Sequence, residues 1–178
     1  MNAKLLLLGA TLFGVIAGTE SVASAETKRA LLIGINKYRA PSAITGAKDG
    51  ITDLKGCVND VTAIRELLIA KYGFKPQDII TITDQDATKD AILKTFKSHL
   101  IDKSAPGDET VFYYSGHGSQ VRNSMSDERD KLDEGIVPVD VMKHRTLIRD
   151  KDFSGLFNNV LDKGATHVVV LNIPEASV

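Results

Sequence analysis

Apolar residues along this chain fall into short continuous runs that alternate with segments of helical spacing. Ala30-Leu31-Leu32-Ile33-Gly34-Ile35 is an unbroken apolar run ending at Asn36, the pattern of a strand buried on both faces of a parallel sheet. Lys37 to Lys55, rich in Gly, Pro, Ser and Thr, reads as a long loop. Asn59-Asp60 offers an N-cap, Val61, Ile64, Leu67, Leu68 and Lys71 follow at helical spacing, and Gly73 closes the helix. Ile79 to Thr83 predicts a second strand. Thr88 caps a second helix with Ile92, Leu93, Phe96 and Leu100 on one face. Pro106-Gly107-Asp108 then turns the chain into a third strand, Thr110 to Tyr114. The polar, acidic stretch Asn123 to Glu134 reads as an exposed loop, and Ile136-Val137-Pro138 leaves it as a short apolar segment. Phe153, Leu156, Phe157, Val160 and Leu161 mark a third helix ended by Gly164, and Val168 to Leu171 a fourth strand. This order predicts an α/β fold: a mainly parallel sheet with right-handed crossovers and helices on both faces. In such sheets the working residues collect beyond the carboxyl ends of the strands.

The first residues follow a different pattern. Lys4 precedes an apolar core from Leu5 to Gly18, and Ala23-Ser24-Ala25 supplies the small residues of a signal-peptidase site. A membrane-spanning helix needs about 20 apolar residues, and Thr19-Glu20-Ser21 interrupts the run. Residues 1–25 are therefore expected to be a signal peptide rather than a retained anchor, with a mature chain from Glu26 in the periplasm or outside the cell. Residues 26–178 have the length of one domain with one core. The formal net charge of -1 excludes a strong electrostatic footprint for nucleic acid. With one cysteine no internal disulfide can form, so packing alone must hold the fold. Aromatic residues make up 6% of a 43% hydrophobic composition, which predicts an aliphatic core.

Candidate chemistry centres on Phe112-Tyr113-Tyr114-Ser115-Gly116-His117-Gly118-Ser119-Gln120, an apolar run ending in a glycine-flanked histidine. That is the layout of a catalytic base at the end of a buried strand. Three further segments stand in order around it: Ala30 to Tyr38, Leu54-Lys55-Gly56-Cys57-Val58-Asn59-Asp60-Val61, and Asp133-Glu134-Gly135-Ile136-Val137-Pro138-Val139-Asp140. Together these resemble the metacaspases, the caspase-like cysteine peptidases, from about residue 29 to residue 171. The resemblance implies a caspase-like fold and a cysteine endopeptidase in which a histidine takes the proton of a thiol. His117 is then the base, and the Gly118 amide a donor to the oxyanion. It also implies an acidic pocket that accepts Arg or Lys before the cut, lined by Cys57, Asp60 and Ser115. A carboxylate such as Asp60 pairs well with a guanidinium; the alternative is that Asp60 caps its helix and Cys57 fills space. A second pocket acid of the family falls near Asn172, which is uncharged.

No cofactor is required beyond a calcium ion that many members use, for which Asp133 and Asp150 match two ligand positions by resemblance. Lys151 stands where a further aspartate is usual, and an ammonium there repels the ion; a solvated acidic loop is the other reading. His99, His144 and His167 lie in no motif and read as surface residues, and no spacing among the histidines and Cys57 makes a zinc site.

Caspase-type nucleophiles lie about 50 residues after their histidine. There the family reads Asp-x-Cys-His-Ser-Gly, and this chain reads Asn172-Ile173-Pro174-Glu175-Ala176-Ser177-Val178. By resemblance Cys57 lies in the pocket and cannot attack. The expectation is a domain incomplete at its C-terminus and inactive as it stands, its tail the product of a shifted reading frame in the gene or of a sequencing error, with a native tail as the alternative. Two classes of function follow: a cysteine endopeptidase domain lacking its nucleophile, or a non-catalytic module that binds basic peptides. A nucleotide-binding reading fails for want of a phosphate loop, and a serine-hydrolase reading for want of a Gly-x-Ser-x-Gly elbow.

Overall fold

The computed structural model describes residues 26–38, 51–122, 131–141 and 147–173. The expected signal peptide, most of the loop after the first strand, His144, part of the acidic stretch and the tail from Pro174 lie outside the described residues.

Four strands form the main sheet: β1 (Lys28–Gly34), β2 (Ile79–Thr83), β3 (Glu109–Ser115) and β7 (Thr166–Asn172). Their order is β2-β1-β3-β7 and every pairing is parallel. β2 keeps the expected bounds, while β3 and β7 extend beyond their apolar runs where a neighbour's backbone continues the ladder, as at Glu109 opposite Lys28 and Ser115 opposite Asn172. Helix α1 (Cys57–Tyr72) covers one face, where Val61 and Leu68 pack on Ala30, Leu32, Ile79 and Tyr113. Helices α2 (Lys89–Thr95), which continues as a wider π-turn through Ile101, and α3 (Asp150–Leu161) cover the other. Alternate residues of β1 thus enter opposite cores, Leu31 and Ile33 on one side, Ala30 and Leu32 on the other.

Cap chemistry agrees with the sequence at two ends and departs at a third. Thr88 accepts the Ala91 amide at the start of α2, and Gly73 closes α1 in the left-handed conformation. However, α1 begins two residues before Asn59, with Gly56 at φ 107° as its cap, so Asp60 lies inside the first turn. A glycine is needed there because φ in that range is strained for other residues.

The acidic stretch is not all loop. β4 (Gly118–Arg122) and β5 (Leu132–Ile136) pair antiparallel, and β6 (Ile148–Arg149) adds to β5, forming a second, three-stranded sheet. Asp133 and Glu134 lie within β5, and Asp133 is fully buried. The aliphatic-core expectation also needs correction. Phe96, Phe112, Phe153 and Phe157 pack ring against ring between the sheet, α2 and α3, with centroids 5.1 to 6.5 Å apart. Few aromatics overall does not mean few in the core, since four of the six phenylalanines gather here. His99 and His167 are not surface residues: His99 is buried, and His167 is half-buried against Phe96 and Phe157.

Candidate active site

His117 follows the carboxyl end of β3, where the main sheet hands over to β4. Its backbone is clamped on both sides by buried phenols. The His117 amide donates to Tyr38 Oη at 2.8 Å, and the single proton of Tyr114 Oη is shared between the His117 carbonyl at 2.7 Å and the Val137 carbonyl at 3.0 Å. The two hydroxyls lie 3.3 Å apart. Burial pushes the Tyr38 phenol up to about 12 and the Tyr114 phenol well above its usual value, so both keep their protons. Tyr38 also lies beside the imidazole, ring centroids 4.9 Å apart.

The turn that presents Tyr38 is itself pinned. Asp84, at φ 45°, accepts the amides of Asn36 and Lys37, while Asp53 accepts the Tyr38 amide at 3.1 Å and pairs with the Lys37 ammonium at 2.8 Å. Gly116 is required at this corner: a Cβ there would stand 2.5 Å from Tyr114 Oη and 2.8 Å from Tyr38 Oη.

The imidazole Nε2 lies 2.8 Å from the Thr52 carbonyl. A carbonyl only accepts, so Nε2 carries the proton and Nδ1 of the neutral ring keeps its lone pair for a base's work. Thr52 could not be read from sequence, because its contribution is a main-chain oxygen. Tyr38 and Tyr114 stood inside the quoted motifs, but no periodicity marks them as the clamp.

Beside His117, at the ends of β3 and β7 and the start of α1, the expected pocket residues meet. Ser115 Oγ donates to Asp60 Oδ2 at 3.0 Å, and the Asn172 side-chain amide donates to the same oxygen at 3.0 Å and lies 3.3 Å from Ser115 Oγ. Asp60 is half-buried and Ser115 fully buried. Cys57 is buried at the first position of α1, close enough to Tyr38, Tyr113 and Tyr114 that a thiolate there would oppose ionisation of all three phenols. No hydrogen bond joins Cys57 to His117. Gly34 permits this end of α1 to close on β1, since a Cβ would stand 2.8 Å from the Cys57 carbonyl oxygen.

Gly118 opens β4 on the other side of His117, and the Ile173 side chain packs where a Cβ would project, at 2.9 Å. A cavity of about 320 Å³ adjoins it, lined among others by Glu134, Asp150, Phe153, Leu171 and Ile173. The two calcium candidates do not come together as ligands. Asp133 is buried and faces the cations Arg149 and Lys151, whereas Asp150 is exposed at the cavity rim. Among the described residues no three His, Cys, Asp or Glu side chains gather closely enough to hold a metal.

A parallel sheet with helices on both faces, and a glycine-flanked histidine past the end of a central strand, define a caspase-like α/β domain. The solved structure of protein GSU0716 from Geobacter sulfurreducens superposes on this chain with a TM-score of 0.60 at 25% identity, covering 82% of this chain and 48% of that one. The family model for the metacaspase, peptidase C14 domain matches residues 28–173, and the chain belongs to that family. Relatives include Metacaspase-9 of Arabidopsis thaliana, 37% identical over 66% of this chain and 37% of its own length. Metacaspase-1 of Schizosaccharomyces pombe is 34% identical over 70% of this chain and 28% of its own length. A Metacaspase-1 of Cryptococcus neoformans is 35% identical over 83% of this chain and 29% of its own length. The chain thus spans about a third of the length of the curated relatives it matches.

Proposed function

We propose that this chain carries the base and the substrate pocket of a metacaspase-type cysteine endopeptidase, acting on polypeptides with Arg or Lys before the cut. The carrying observation is the state of His117: backbone clamped by two phenols, Nε2–H committed to the Thr52 carbonyl, Nδ1 left to accept a proton. A ring fixed in one tautomer and orientation is what a general base for a thiol needs. Asp60 supports the basic preference, as a half-buried carboxylate whose two observed partners, Ser115 and Asn172, are both neutral. A guanidinium entering there would supply the missing positive charge. Gly118 is the proposed oxyanion donor.

Cys57 is the one cysteine of the sequence, and it is buried and not hydrogen-bonded to His117. The attacking thiolate must therefore come from outside these residues, and the chain alone is proposed to be inactive. The same observation supports the second reading, a module that binds basic peptides without cutting them. The reading of residues 1–25 as a signal peptide carries the further proposal that the protein is exported and begins at Glu26, which intact-mass analysis of the exported protein checks. No helix among the described residues is long and apolar enough to cross a membrane.

Rebuilding separates the two readings. Appending the Cys-His-Ser-Gly segment and the remainder of a family domain after residue 171 should create cleavage after Arg or Lys in fluorogenic peptides. His117→Ala in the rebuilt protein should abolish it, and the present chain should show none. Rebuilt activity indifferent to His117 would refute its role as base; binding of basic peptides with no rebuilt cleavage would favour the module.

A further inference from the structure

Asp133 has 0% of its side chain exposed, and each carboxylate oxygen meets a cation of the fold itself. Lys151 Nζ lies 2.6 Å from Oδ1 and Arg149 Nη1 3.2 Å from Oδ2. The three residues belong to three elements: Asp133 to β5, Arg149 to β6, and Lys151 to the first turn of α3. The Arg149 amide is also tied to Asp152 of α3 at 3.1 Å. An ionised carboxylate is buried only when its charge is answered locally. Here an ammonium and a guanidinium answer it, at the position where the family resemblance calls for calcium.

Calcium needs six or more oxygens at about 2.3–2.6 Å. At this site Lys151 Nζ lies against one carboxylate oxygen, Arg149 lies against the other, and Asp150 is exposed and lines the cavity. We infer that Lys151, with Arg149, takes the place of a divalent cation in this chain, so that the second sheet and α3 are joined without calcium and do not respond to it. Both cations are partly exposed, 46% for Lys151 and 43% for Arg149, which lowers the desolvation cost of the arrangement. The inference concerns the packing of the second sheet and stands apart from the role proposed for His117.

Thermal melts of the whole chain in millimolar CaCl2 and in EDTA, with calorimetric titration of CaCl2, test it. The expected results are one melting temperature in both buffers and no heat of binding. Lys151→Met should lower the melting temperature by about 5 °C or more, since it takes an adjacent cation from a buried carboxylate, while Lys151→Arg retains most of it. Lys151→Asp should melt lower in EDTA and regain stability in CaCl2. A calcium-dependent melting temperature or a calcium-binding isotherm in the unaltered chain would overturn the inference, and needs no variant to fold. So would a Lys151→Met protein as stable as the parent.

Discussion

Two phenols hold the main chain of His117, and their chemistry is open to direct test. Tyr38 and Tyr114 are raised by burial, so the folded state favours their neutral forms over those of the unfolded chain. Their stabilising contribution is complete below pH 10, the ordinary phenol value; that of Tyr38 is lost as the pH rises through about 12, and that of Tyr114 only well above its usual value. Phenolate absorbance from these two residues should therefore appear together with loss of the near-ultraviolet circular dichroism signal. Phenolate formation in a fully folded protein near pH 10 would contradict their burial. Removing the Tyr114 hydroxyl takes away the one proton shared by two carbonyls and leaves the buried Val137 carbonyl short of it, so Tyr114→Phe should cost about 1–3 kcal/mol in urea unfolding. Gly116→Ala should cost about as much by overpacking, because both phenol oxygens stand where the methyl would go. The motif letters at Gly116 and His117 were legible in sequence. The reason Gly116 must be glycine lies in two phenols, Tyr114 two residues before it and Tyr38 78 residues away.

At the scale of elements, the π-turn after α2 and the strand β7 each bury a histidine, His99 and His167, the latter beside Phe96. Burial pushes His167 down to about 4, and burial likewise lowers His99, whose Nε2 meets the Asp78 carbonyl. Among the described residues His99 Nδ1 and His167 Nε2 are buried without a hydrogen-bond partner. Both rings are thus neutral in the fold and more basic in the unfolded chain. Their stabilising contribution is full above pH 6.5 and declines as the pH falls below it, that of His167 being lost as the pH passes about 4. Melting temperature should fall through that window, and His167→Gln should flatten the fall; an unchanged acid limb would refute the assignment.

β7 carries a second prediction at this scale. Among the described residues it pairs with β3 alone, and Val168, Val169, Val170 and Leu171 are 37% to 49% exposed on both its faces. An apolar edge of this kind is a template for further strand pairing. The purified chain should self-associate in light scattering, and Val169→Lys should reduce that association. A monodisperse monomer would refute the prediction.

Taken as a whole, the molecule hangs on the central strand β3, which lies between β1 and β7 and ends at the site. Phe112, fully buried in that strand, touches the rings of Phe96, Phe153 and Phe157 and so joins α2, α3 and the sheet. Phe112→Ala should cost about 3–5 kcal/mol, a large share of the 5–15 kcal/mol typical of a domain, and urea denaturation would read it as a lower midpoint. The same packing sets His117, since β3 cannot shift along β1 without moving the base away from Tyr38 and Thr52.

The parallel main sheet, its helices, the cap at Thr88 and the glycine at position 73 followed from the sequence. These rest on local periodicity and on cap and turn chemistry. The pairing of Asp60 with Ser115 was implied by the family resemblance instead, through motifs whose letters lie close together in the chain, and the two side chains are hydrogen-bonded. The start of α1 at Gly56, the strand within the acidic stretch, the aromatic core and the burial of His99 and His167 were decided by tertiary structure. So were the tautomer of His117 and the partners of Asp133. Each depends on main-chain atoms or charges brought from distant positions: Thr52 to His117, Lys151 to Asp133. A one-dimensional pattern records which residue types are present. It does not record which carbonyl a ring nitrogen will meet or which ammonium a buried carboxylate will find, because folding alone sets those distances.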